Sequence, residues 1–132
     1  MHPTLDDGQL LLTRPPCRHV KAGHIVVFTT PGGERCVKRV VGAPGDLVEL
    51  EAGRLYVNQR PCDGRARTAG ARVETWRVPD GHYFVAGDNL LQSDDSRVWP
   101  EPFVPASRIG GVAIRRPLPP LGVTPRNSAR PA

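Results

Sequence analysis

Glycine and proline punctuate this chain so densely that long regular elements have little room to form. There are 14 Gly and 15 Pro among 132 residues. Glycine turns the backbone by reaching positive φ, and proline by fixing φ and removing an N–H donor. Between these breaks lie short runs rich in β-branched residues. They are Gln9–Thr13, His24–Phe28, Arg35–Val41, Asp46–Leu50, Arg54–Val57, Arg72–Arg77, His82–Ala86 and Ile109–Ile114. Thr30-Pro31-Gly32-Gly33, Ala43-Pro44-Gly45-Asp46 and Pro79-Asp80-Gly81 separate them, and Glu51-Ala52-Gly53-Arg54 joins two as a hairpin. The spacing predicts an all-β fold, a sandwich or partly open barrel of short antiparallel strands with little helix. No 3.6-residue periodicity persists long enough to predict a helix.

The length suits one domain with a modest core. Aromatic residues are 5% of a chain that is 39% hydrophobic, so that core must rely on Val, Leu, Ile and Ala. Asn58–Ala71 is polar and rich in Arg and Gly, and reads as an exposed loop. Arg116–Ala132 holds five prolines and little apolar content, and reads as a disordered tail after a domain spanning 1–115. The net charge of +5 is spread out. Its denser stretches, 65–72 and the tail, are not interleaved with aromatics, which argues against nucleic-acid binding and for a solvated surface. Three cysteines, Cys17, Cys36 and Cys62, contain no CxxC, so neither a zinc ribbon nor a redox motif is expected, and no metal or cofactor. One disulfide would need an oxidising compartment, and the spacing does not choose the pair. No run of eighteen apolar residues is present, and the first ten residues lack the basic start of a signal peptide.

The segment Arg35–Asp46 reads RCVKRVVGAPGD. Strand alternation sends Cys36, Lys38 and Val40 to one face and Val37, Arg39 and Val41 to the other. Adjacent Lys and Arg therefore point in opposite directions. A Lys-Arg pair in isolation most often lies on an exposed edge. A second segment, Val78–Trp99, runs VPDGHYFVAGDNLLQSDDSRVW, a short apolar strand entering a loop dense in Asp and Ser. By itself that is a turn with side-chain-to-backbone hydrogen bonds.

Taken together the segments resemble bacterial type I signal peptidases, a serine–lysine dyad family. Its boxes run SMxPTL, a GDIVVF-like strand, KRVxGxPGD and GDNxxxSxDSR. Here stand MHPTL (Met1–Leu5), GHIVVF (Gly23–Phe28), KRVVGAPGD (Lys38–Asp46) and GDNLLQSDDSR (Gly87–Arg97). AGRLYVNQRP (Ala52–Pro61) matches a further hairpin element, and the likeness covers roughly Met1–Ala113. It implies Lys38 as general base and Ser93 as the hydroxyl that orients it. It implies structural ion pairs Arg39–Asp88 and Asp95–Arg97, and pockets for small substrate side chains lined by Met1, Leu5, Cys36 and Val37. The implied substrate is an extended segment of an exported preprotein, cut after an Ala-x-Ala-like sequence at the extracytoplasmic face of the bacterial cytoplasmic membrane. The membrane surface is then a partner and nucleic acid is not.

A lysine acting as base must be largely desolvated, because an ordinary amine with pKa of about 10.4 is neutral in only about one molecule in 2,500 at pH 7. Val37, Val40 and Val41 are the expected apolar neighbours. Asp88, Asp94 and Asp95 are expected to point away, since a carboxylate beside the amine would hold its proton. The family's nucleophilic serine would stand immediately before Met1. The expectation is that a Met codon inside the SMxPTL box was taken as the start, and that the chain as written does not cleave. The alternatives are a catalytically silent peptide-binding domain, a specialised maturation protease, or a self-cleaving Ser–Lys domain of the repressor type.

Overall fold

The computed structural model describes residues 1, 4, 8, 10–16, 20–63, 73–88 and 94–114. Among them are ten strands: β1 (Thr13–Arg14), β2 (Ile25–Thr29), β3 (Arg35–Gly42), β4 (Leu47–Glu51), β5 (Arg54–Val57), β6 (Arg60–Pro61), β7 (Val73–Arg77), β8 (His82–Ala86), β9 (Phe103–Pro105) and β10 (Ile109–Ala113). One 3-10 turn, Ala106–Arg108, is the helical content among the described residues. The strands form two antiparallel sheets, ordered β1-β10-β2-β3-β8-β9 and β6-β5-β4-β7, with no closed barrel.

Turn chemistry sets the strand ends. Ala52 and Gly53 both take positive φ, 51° and 76°, the geometry of a tight two-residue hairpin between β4 and β5. After β3, the Asp46 carboxylate accepts from Ala43 N–H at 2.9 Å, closing the Ala43–Asp46 turn into β4. β3 carries a register shift between Val40 and Gly42 where it pairs with β8. Gly42 sits there under Val48, and a Cβ on it would stand 2.7 Å from Val48 Cγ2 and 3.0 Å from Val78 Cγ2. Only glycine allows the second sheet to approach so closely.

Two apolar clusters result, and β8 serves both by alternation. Tyr83 and Val85 join Val26, Phe28, Val40, Val104, Ile109 and Val112 on one face. Phe84 and Ala86 join Val48, Leu55 and Val78 on the other. Val is the commonest residue in both clusters, as the low aromatic content requires.

The segment Asn58–Ala71 is not wholly a loop, because β6 lies within it and pairs with β5. Asn58 and Gln59, at φ 50° and 72°, form another tight turn. β9 lies in a stretch with no expected strand and extends the first sheet beside β8. The strand expected at Gln9–Thr13 is found at Thr13–Arg14, overlapping it at Thr13. The division at residue 115 and the tail 116–132 lie outside the described residues.

Candidate active site

β2 and β3 form a hairpin through Thr30–Glu34, held by Thr30 N–H to Glu34 O at 2.7 Å. In its ladder Lys38 faces Val26 and Cys36 faces Phe28. Residues opposite one another in an antiparallel ladder share a face. Lys38 therefore lies on the side of the first cluster, in line with Val40 and Cys36, where it is partly buried. Of its expected apolar neighbours, Val40 shares this face. Val37 and Val41 do not: the period of two turns them to the opposite side, and Val41 packs in the second cluster. Val26 supplies the cross-strand apolar wall instead.

Arg39 points the other way. Its Nε and Nη2 donate to Asp88 Oδ1 and Oδ2, both at 2.8 Å, and its Nη1 donates to Gly23 O at 2.9 Å. Thr4 Oγ1 also donates to Asp88 Oδ2, linking the N-terminal MHPTL box to the segment that leaves β8. Burial works to raise the Asp88 carboxyl. The hydrogen bonds from Arg39 and Thr4, with the charges of Arg39 and the N-terminal amine, outweigh it and hold Asp88 below its ordinary 3.8.

The loop after β8 is tied down by buried polar groups. Asp95 is fully buried and Arg97 is 9% exposed. Arg97 Nε and Nη2 donate to Asp95 Oδ1 and Oδ2 at 2.9 and 2.8 Å. Asp95 also accepts from Arg97 N–H at 3.1 Å and from Gly87 N–H at 3.0 Å. Ser96 pairs with β8 in both directions: its N–H donates to Val85 O at 3.1 Å, and Val85 N–H donates to its Oγ at 2.9 Å. Asp94 Oδ1 accepts from the Trp99 indole N–H at 3.0 Å. Each of the three carboxylates is thus engaged by a donor other than Lys38. Ser93 and Leu5 lie outside the described residues, as does Cys17; Cys36 and Cys62 are free thiols. Met1 is partly buried.

Thr4 and Ser96 are structural ties to which the sequence alone assigns no role. Both stood inside recognised boxes, and hydroxyl side chains in loops regularly bond nearby backbone or capture a carboxylate. That chemistry was the available signal. Among the described residues no group of three or more His, Cys, Asp or Glu could hold a metal ion.

The β8 ladder ends at Arg39 facing Ala86, whereas β2 pairs with β3 as far as Arg35 facing Thr29. Among the described residues, Arg35–Val37 therefore pairs with a strand on one side only. Beside it, on the Val37 face, a groove of about 440 Å³ is lined by Leu11, Thr13, Val27, Val37 and Gly111. Chemically this is a trough of mixed polarity, with Thr13, Thr29 and Arg35 beside its apolar groups, next to a strand edge that among the described residues is paired on one side, with an amine on the reverse face of the same strand.

The profile of the family described as "Signal peptidase, peptidase S26" matches residues 1–116. The probable signal peptidase I-1 of Synechocystis is 34% identical over 133 residues, covering 90% of this chain and 67% of that protein. Signal peptidase I V of Bacillus subtilis is 34% identical over 116 residues, covering 74% and 69%. The chain thus spans about two thirds of the length of these relatives. The crystal structure of a signal peptidase I from Enterococcus faecalis V583 superposes with a TM-score of 0.57 at 29% identity, covering 74% of this chain and 98% of that one. The boxes along the strands, the antiparallel two-sheet fold and these matches agree: the chain belongs to the signal peptidase I family, peptidase S26.

Proposed function

We propose that this domain is the substrate-binding and general-base portion of a serine endopeptidase that removes signal peptides from exported preproteins. Lys38 is the base and Ser93 its orienting hydroxyl. The nucleophile is a serine at the position before Met1, where the family pattern puts it. The work belongs to the extracytoplasmic face of the bacterial cytoplasmic membrane. Among the described residues no helix is long and apolar enough to cross a membrane.

The observation that carries this reading is the arrangement of β3. It sets Lys38 against Val26 and Val40 and, among the described residues, leaves Arg35–Val37 paired on one side only, next to a groove of mixed polarity. An extended peptide can add there as a strand, its alternate side chains falling on the two faces. In such a site Lys38 would take the proton of the serine hydroxyl as it attacks the scissile carbonyl, and return it to the leaving amine. Met1, Leu5, Cys36 and Val37 would limit the adjoining subsites to small side chains.

The test compares the 132-residue chain with one carrying serine immediately before Met1, on a peptide containing Ala-x-Ala. The serine-bearing chain is expected to cleave after the second Ala, and the 132-residue chain is not. Lys38→Ala should lower cleavage by about 10²–10⁴-fold or more while leaving thermal unfolding cooperative. Undiminished cleavage by Lys38→Ala would remove Lys38 from the mechanism. Peptide binding without cleavage by the serine-bearing chain would favour a binding domain.

A further inference from the structure

A second groove, of about 660 Å³, opens on the Lys38 face of the first sheet beyond Cys36. Its floor is aromatic: Phe28, opposite Cys36 in the ladder, meets Trp99 edge-on with centroids 6.1 Å apart, and Phe103 lies alongside. Three carboxylates, Glu34, Asp94 and Glu101, stand on the rim. All three are exposed, and none forms a salt bridge with a described residue. Asp94 orients the Trp99 indole through its N–H. Two cationic or titratable side chains also line the groove, Arg108 and His82, and His82 Nδ1 is 2.8 Å from Asp80 O. The formal balance is negative.

We propose that this groove receives a basic side chain, Lys or Arg, of the same extended peptide that adds at the β3 edge, about four positions from the residue beside Lys38. The proposal rests on the peptide reading above. Its geometry is that of a strand. Lys38, Cys36 and Glu34 succeed one another at two-residue steps, about 7 Å each, so a peptide laid along β3 needs four residues to pass from Lys38 to Glu34. A Lys or Arg there would lay its aliphatic stem on the aromatic floor and present its charge to the Trp99 face and the three carboxylates. The field of the rim already reaches the strand. Burial raises the Cys36 thiol most, Lys38 pulls it down, and Glu34 and Asp94 push it up. An acidic peptide side chain at the same place would meet like charge. The direction of the peptide decides whether the basic residue precedes or follows the scissile bond.

The experiment titrates the 132-residue chain with Ala-x-Ala peptides bearing Lys four residues before or four residues after the second Ala, and with their Glu counterparts. One Lys peptide is expected to bind roughly fivefold more tightly than its Glu counterpart at low salt, with the preference fading at high salt. The same peptide should shift the Trp99 indole N–H resonance. Glu34→Gln with Glu101→Gln should abolish the preference and keep binding of the uncharged core peptide. Equal binding of Lys and Glu peptides, or a preference that survives the double substitution, overturns the proposal. If no peptide binds, it falls together with the peptide reading. If the core peptide binds regardless of charge, it falls alone. A Trp99 shift produced by protein concentration without peptide would assign the groove to self-association and also overturn it.

Discussion

Replacing Asp95 with alanine removes the carboxylate on which the loop after β8 converges. At least four hydrogen bonds end on it, two from the Arg97 guanidinium and one each from Arg97 N–H and Gly87 N–H. The pair is bidentate, and Asp95 is 0% exposed. The substitution takes from a nearly buried guanidinium and an amide the carboxylate that both donate to. Breaking a buried pair from one side costs about 3–5 kcal/mol. For a domain of this size that lowers Tm by about 10–15 °C. Urea and thermal unfolding of Asp95→Ala measure it directly. With Arg97→Met added, the guanidinium charge is gone, so the loss should be clearly smaller than the sum of the two single losses. A loss under about 1 kcal/mol for Asp95→Ala, or strict additivity with Arg97→Met, would refute the account of a desolvated pair holding this loop.

Two other substitutions probe the frame. Arg39→Met removes a partly exposed bidentate partner of Asp88 and should cost about 1–2 kcal/mol at neutral pH. Because Asp88 is held below its ordinary value, its contribution is fully present above that value and is lost as pH falls through the depressed one. The Tm gap between wild type and Arg39→Met should therefore close on acidification, and a gap independent of pH would contradict the assignment. Gly42→Ala places a methyl against Val48 and Val78 and should cost about 1–3 kcal/mol, with Val48→Ala in the same chain restoring part of it. Calorimetry of the three variants decides it.

What could be read in the sequence was what short-range chemistry dictates. β5 and β8 begin and end where expected, because Ala52-Gly53 and Pro79-Asp80-Gly81 leave little choice of turn. Alternation alone places Lys38 and Arg39 on opposite faces. β6 and β9 were hidden by the residues that ordinarily argue against strands, Pro61 and Pro105. Each lies on the outermost strand of its sheet, where a missing N–H breaks no ladder. The division into two sheets was illegible because it depends on a register shift at Val40–Gly42 and on how closely Val48 can approach Gly42. Those are contacts between distant residues. The grouping of Val37 and Val41 with Lys38 failed for a simpler reason: nearness along the chain was allowed to override the strand period. Thr4 bonds a residue 84 positions away, a distance over which no local pattern operates.

The outer strands have a consequence for how the domain meets other chains. β1 and β6 are two residues long, β6 and β9 carry proline, and β7 presents Glu74 and Arg77 along its length. Short, donor-poor or charged borders discourage unplanned strand pairing. A protein that accepts extended polypeptides must discriminate by place as well as by sequence, or it would collect nascent chains and copies of itself. On the function proposed above, borders blunted in this way would steer an extended peptide inward to the β3 edge. Selectivity would then begin with where a visiting chain is able to zip on, before any side-chain pocket is consulted.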